Sequence, residues 1–323
     1  MIEPVSDDRI LLSLEQLKDC VLCPHECHVD RVNGKLGICK ADSHMRVSRA
    51  ALHHWEEPPI SGSAGSGTIF LANCNLGCAY CQNHAISKGG AGKVSSIEDV
   101  AFMCLDLQEQ GAMNINFVTP THFAPLIRES IALARQQGLM LPIVWNTSGY
   151  ESVQAIRENT GFVDIYLTDF KYFDDSLARE LSHADDYRER ARAALDEMVH
   201  LVGSPSYDTF NGESRLTKGV VIRHMLLPGH IDDSKCVLSM LQDRYDSRVL
   251  VSIMNQYTPV ISKLAEDGDA SSRKILNRYP ELARAVSSEE YEDVLDFADS
   301  IGMQDYFWQD GDTCMESFIP DFE

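Results

Sequence analysis

Six short apolar runs, each followed by a stretch of helical length, constrain this chain more than any other feature. The runs span residues 68–72, 114–119, 141–146, 164–169, 219–226 and 249–254. They are rich in β-branched residues and largely apolar on both faces, as strands covered by helices on both sides must be. The intervening pattern predicts helices over 96–110, 123–137, 152–158, 176–202, 233–244 and 288–301. Ser96 and Ser288 stand at helix starts, each with acids in the first turn. Six such units in a row predict an α/β fold with a parallel sheet and right-handed crossovers. An open doubly wound sheet and a partial barrel both satisfy that pattern.

The 323 residues are 44% apolar and 24% charged, enough for a substantial core and incompatible with bulk disorder. No stretch near membrane-spanning length lacks polar breaks. The opening MIEPVSDDRILL puts acids before a short apolar patch and is not expected to be a secretory signal. A net charge of −21 argues against broad binding to nucleic acid or anionic membranes. Three parts are expected: residues 1–60, a cysteine-rich metal-binding extension; 61–260, the strand–helix body; and 261–323, a helical segment and tail packing on it. Residues 61–67, SGSAGSG, read as a small flexible connector. That segment lacks the Lys-Ser/Thr ending of a phosphate loop and precedes a strand.

Ten cysteines without an export signal point to metal sites rather than disulfides. Cys104, Cys236 and Cys314 stand alone and receive no role. Cys74, Cys78 and Cys81 lie in TIFLANCNLGCAYCQN, where a buried strand runs straight into a loop. Three thiolates on one tight loop hold three irons of a four-iron cube and leave the fourth iron open to a substrate group. Gly77 lets the loop wrap closely, and Tyr80 is placed beside a bound planar group. The competing reading is a three-cysteine zinc loop closed by His84.

This Cys-x3-Cys-x-aromatic-Cys loop resembles the signature of radical S-adenosylmethionine (SAM) enzymes. The resemblance implies a partial (β/α)6 TIM-type barrel, a [4Fe-4S] cluster, and SAM bound through its amino and carboxylate groups. It also implies reductive cleavage of SAM to a 5′-deoxyadenosyl radical that abstracts hydrogen. The run LHHWEEPPISGSAGSGTIFLANCNLGCAYCQN, with VTPTHF, WNTSGY, LTDFKYF and MNQYTP, is similar to a subfamily described as pyruvate-formate-lyase-activating-enzyme-like. Thr119-Pro120-Thr121-His122 stands where many members carry Gly-Gly-Glu, so Thr119 and Thr121 are candidates for the SAM amino group. Asn146 and Ser148, Asp169 and Lys171, and Arg223 fall at strand ends, where such folds place chemistry. Lys171 and Arg223 suit the SAM carboxylate, and Asp169 or Asn146 the ribose. The implied substrate is a protein, in the narrowest version a glycyl radical enzyme, or a small molecule. A non-enzymatic iron–sulfur or zinc scaffold is the alternative. Oxygen lability of such a cluster implies an anaerobic cytoplasmic setting.

Cys20, Cys23, Cys27 and Cys39 supply four soft ligands, equally suited to structural zinc or iron and to an auxiliary iron–sulfur cluster. Arg31, Lys35, Lys40, Arg46 and Arg49 form a basic island in an acidic chain, a docking face for an acidic donor such as a flavodoxin or ferredoxin. Of His53-His54-Trp55-Glu56-Glu57, the glutamates are candidates to line the pocket. The tail TCMESFIPDFE is read as a lid over the barrel mouth or an ordinary packed terminus.

Overall fold

A computed structural model describes residues 7–88 and 91–309. Among these are ten strands: β1 (Met45–His53), β2 (Ser66–Leu71), β3 (Lys93–Ser95), β4 (Ile115–Val118), β5 (Ile143–Thr147), β6 (Ile165–Asp169), β7 (Ser206–Phe210), β8 (Glu213–Met225), β9 (Leu250–Met254) and β10 (Phe307–Trp308). They form one sheet in the order β10-β9-β8-β6-β5-β4-β2-β1-β3, with β7 paired to β8. Every pairing from β2 through β10 along that path is parallel, whereas β1 runs antiparallel to β2 and β3. The six expected strands are β2, β4, β5, β6, β8 and β9. Every residue of β2 and of β5 is buried, which explains why both are largely apolar and free of charged residues.

Helices follow the strands as the pattern requires. Ile97–Glu109 starts at a reciprocal capping box in which Ser96 and Asp99 satisfy each other's backbone N–H. Ser287 and Glu290 do the same for Ser288–Ser300. The four other strands escaped the pattern. β1 and β3 carry charges, and β7 is almost wholly exposed. The β7–β8 hairpin turns at Asn211-Gly212, both at positive φ, a pair that favours such turns.

Two expectations are corrected. Residues 176–202 are not one helix but two, Asp175–Ser182 and Tyr187–Val202. The first ends at His183 in left-handed conformation. Residues 61–67 are not a flexible linker. Ser61, Gly65, Ser66 and Gly67 are buried, and a Cβ on Gly67 would lie 2.8 Å from the Asn114 carbonyl. Ser66 and Asn114 are also hydrogen-bonded side chain to side chain at 2.6 Å. Small residues stand there because backbones pack closely, not because the chain is loose. The 313–323 tail lies outside the described residues. Among the described residues, no helix is long and apolar enough to cross a membrane.

Candidate active site

β2 delivers the chain into the cysteine loop. Asn73 turns it at φ +73°, and its side chain donates to the Cys39 carbonyl at 3.0 Å. Asn75 donates to the Tyr150 carbonyl at 2.9 Å, and Gly77 takes φ +69°. So held, Cys74, Cys78 and Cys81 all line one cavity of about 210 Å³; His84 does not. The Leu76 N–H points at the Cys74 sulfur (3.4 Å) and the Ser182 hydroxyl at the Cys78 sulfur (3.0 Å). Burial pushes the Cys74 thiol up to about 12. Burial also raises Cys78, against the pull of the Lys171 charge. Sulfurs so placed are neutral thiols or thiolates neutralised by a bound cation.

The facing wall is built from strand ends. Thr119, Asn146, Ser148, Asp169, Lys171 and Arg223 line the same cavity. Arg223 is its hub, donating to Asp169 (3.0 Å), Asn146 (2.7 Å) and Glu56 (3.2 Å). Lys171 donates to the other Asp169 oxygen at 2.6 Å. Burial pushes the Asp169 carboxyl up, but Lys171 and Arg223 outweigh it and hold it below the usual carboxylate range. Gly149, at φ +81°, lies so close to β6 that a Cβ would sit 2.2 Å from the Asp169 carbonyl. Tyr187 pins both turns, donating to the Ser148 carbonyl (2.8 Å) and accepting from the Lys171 N–H (2.9 Å). Thr119 sits at φ +57°, and the Ser148 hydroxyl is buried without a partner.

Two of the expected cofactor-binding residues are engaged elsewhere in part or whole. Thr121 does not line the cavity; its hydroxyl and that of Thr147 both donate to Glu151, a carboxyl raised by burial to about 7. Tyr80 does line it, but its hydroxyl bonds Tyr172, which bonds Ser182. Since the Cys78 sulfur terminates the series as acceptor, Tyr80 donates to Tyr172, Tyr172 to Ser182 and Ser182 to Cys78.

A second chamber of about 290 Å³ adjoins the first and shares Asn146 and Arg223 with it. Its walls include Phe70 of β2, Ser252 of β9 and Trp308 of β10. Strands from opposite regions of the sheet thus face one space. Glu56 and Glu57 also line this chamber, as the sequence pattern suggested. Asn116 (3.0 Å) and Asn146 (3.3 Å) donate to Glu56 beside Arg223. Glu57 is 7% exposed, and its Oε2 has no hydrogen-bond partner. Burial foremost raises Glu57 to about 7 and lowers His53 to about 4.

Cys20, Cys23, Cys27 and Cys39 line one small recess with Arg31. Gly37 closes it, since a Cβ there would lie 2.8 Å from the Cys27 sulfur. Arg31 is not part of a surface island: it is 1% exposed. It donates to the carbonyls of Ala41 (3.0 Å), Asp42 (2.6 Å) and His122 (2.6 Å), and its Nη1 lies 3.8 Å from the Cys20 sulfur. Lys35, Lys40 and Arg49 remain exposed, while Arg46 reaches Asp42 at 3.4 Å. His25 bonds the Asn75 carbonyl at 2.8 Å, which ties this segment to the central loop. Among the described residues, no three His, Cys, Asp or Glu side chains surround the position of a single metal ion.

Ser182 and Tyr187 carried no signal, being ordinary polar and aromatic residues of helices, and Tyr172 lay inside LTDFKYF without a role of its own. Gln256, in MNQYTP, lies between both chambers, and its carbonyl accepts from Gln82 at 2.6 Å.

The radical SAM superfamily model matches residues 68–234. An uncharacterized protein of Methanocaldococcus jannaschii is 26% identical over 309 residues, covering 92% of this chain and 79% of the relative. A radical SAM methyltransferase from Sphaerobacter thermophilus is similar in structure, with a TM-score of 0.47 at 14% identity over 75% of this chain. So is SuiB of Streptococcus suis, solved with its precursor peptide SuiA, with a TM-score of 0.46 at 9% identity over 74% of this chain. The matches span 66% of the first structure's chain and 47% of the second's.

Proposed function

The chain belongs to the radical SAM superfamily, and from that premise we propose that it reductively cleaves SAM at a [4Fe-4S] cluster held by Cys74, Cys78 and Cys81. The observation that carries this reading is the meeting of three loop cysteines with Asn146, Asp169, Lys171 and Arg223 around one cavity. The residues suit the group. The three cysteines are half-buried, two of their sulfurs receive hydrogen bonds, and Lys171 brings a positive charge toward Cys78. With cluster and SAM bound, one-electron reduction yields methionine and a 5′-deoxyadenosyl radical that abstracts hydrogen from substrate.

The chain's own residues position and shield. Lys171 and Arg223 are assigned the SAM carboxylate, and Asn146 and Asp169 the ribose hydroxyls. The unpartnered Ser148 hydroxyl and the Thr119 turn are assigned the amino end, where Gly-Gly-Glu is absent. Thr121 is instead assigned to hold Glu151. Tyr80 closes the cavity beside the loop and excludes water.

We read the fold as a partial (β/α)6 barrel over residues 61–260, preceded by a metal-binding extension (1–60) and followed by a third part (261–323) whose described residues, 261–309, pack on it. The chamber shared by β2, β9 and β10 supports this reading, because a flat sheet keeps such strands apart. Arg31 beside Cys20 supports a second site of thiolates at Cys20, Cys23, Cys27 and Cys39, holding zinc, iron or an iron–sulfur cluster. Lys35 and Lys40 flank exposed Leu36 and Ile38 in the same segment, a mixed basic and apolar surface suited to a flavodoxin or ferredoxin.

The subfamily motifs support kinship with glycyl-radical-enzyme activases. Incubation with SAM, reductant and a glycyl radical enzyme should then produce the glycyl-radical EPR doublet. No doublet, with SAM still cleaved, assigns the radical to another protein or a metabolite. The 290 Å³ chamber favours that second reading, because it is the size of a side chain or small molecule rather than a loop.

A further inference from the structure

The two chambers together are lined by three carboxylates, Glu56, Glu57 and Asp169, and two cations, Lys171 and Arg223. His53 also lines the outer chamber, and its lowered pKa leaves it neutral near pH 7. Both cations are committed. Lys171 is paired to Asp169, and Arg223 spans Asp169, Glu56 and Asn146. Glu57 feels the Arg223 charge but makes no ion pair or hydrogen bond with it. Its side chain bonds Ser252, but Oε2, buried at the chamber wall, has no partner. Burial raises Glu57 to about 7, so near neutrality part of it is protonated while the chamber is empty, and a donor or cation at Oε2 would restore the carboxylate.

We propose that the outer chamber binds substrate through a cationic group, an ammonium or guanidinium, that completes the Oε2 hydrogen bonding of Glu57. This rests on the radical SAM reading, under which the inner chamber is taken by cluster and SAM. Glu57 lines only the outer chamber, away from the three cysteines, so the cation it awaits is not the iron-bound amino group of SAM. Trp308, 57% exposed, lines the same chamber, and an aromatic ring there suits a cationic ligand. The chamber shares Asn146 and Arg223 with the inner cavity, so a substrate held there would be next to the residues assigned to SAM.

The test is calorimetric titration of the reconstituted protein with matched probes. These are 1-aminobutane and agmatine as cations, 1-butanol as the neutral isostere and butyrate as the anion. Short peptides carrying lysine or arginine distinguish a protein side chain from a free amine as the source. The cations should bind at least tenfold more tightly than the neutral and anionic probes. Glu57→Gln should weaken cation binding at least tenfold, with Glu57→Asp intermediate if the carboxylate itself is the determinant. Equal binding of amine and alcohol, or undiminished amine binding by Glu57→Gln, would overturn the assignment. So would Glu57→Gln losing SAM affinity while keeping amine affinity, since the residue would then serve the cofactor. Binding is read without turnover, so failure of SAM cleavage in the unmodified protein would count against the radical reading alone.

Discussion

Ser182 donates its hydroxyl hydrogen to the sulfur of Cys78 across 3.0 Å. The helix break at His183 puts it there, two residues after Glu180 and just before the chain turns left-handed. Hydrogen bonds to a ligand sulfur stabilise the added electron of a reduced cluster. Ser182→Ala should therefore lower the midpoint potential of the reconstituted cluster. One hydrogen bond of about 1 kcal/mol is on the order of 40 mV for a one-electron couple. An EPR-monitored redox titration measures it; an unmoved or raised potential contradicts the role.

Gly149→Ala should damage the site from beneath. The new Cβ would sit 2.2 Å from the Asp169 carbonyl at a φ that disfavours side chains. A cost of about 2–3 kcal/mol is expected, with a further loss of SAM affinity because Asp169 and Ser148 are displaced together. Thermal unfolding and equilibrium SAM binding check the two effects separately.

Arg223→Met removes the partner of two buried carboxylates. Glu56 is 8% and Asp169 19% exposed at the side chain, so roughly 3–5 kcal/mol of stability should be lost. Adding Glu56→Gln should recover more than about 1 kcal/mol, because one stranded charge is removed. Additive losses in denaturant melts would show that the two residues are not coupled.

Much of this was legible beforehand, for a physical reason. Strands buried on both faces leave largely apolar runs, and a loop that must present three sulfurs has few spacings available. The same logic fails at β1 and β7, which are half or fully exposed and carry mixed residues. It fails at Arg31, where a charge looks like surface until the carbonyls of Ala41, Asp42 and His122 are seen to close around it. Glu56 and Glu57 were suggested by their nearness to the strand. Ser182 and Tyr187 act through contacts 104 and 39 residues away in sequence, which no local pattern encodes.

The helix Ser288–Ser300 carries a pH signature. Arg284 foremost, with the N–H groups of Ser287 and Gly229, holds Glu290 down to about 2. An unfolded glutamate titrates near ~4.3, so this stability is present above that pH and lost as pH falls toward about 2. Glu290→Gln should cost about 1 kcal/mol near neutrality, and the gap to the parent should close through that acid window. A gap that persists at pH 2 contradicts the assignment.

The central claim is tested most directly by product. Protein reconstituted anaerobically with iron and sulfide, reduced with dithionite and given SAM should form 5′-deoxyadenosine, quantified by mass spectrometry. The Cys74/Cys78/Cys81→Ala variant should form none. Product that persists in the variant, or its absence from protein carrying a full four-iron cluster and a bound substrate, would contradict radical cleavage at this site.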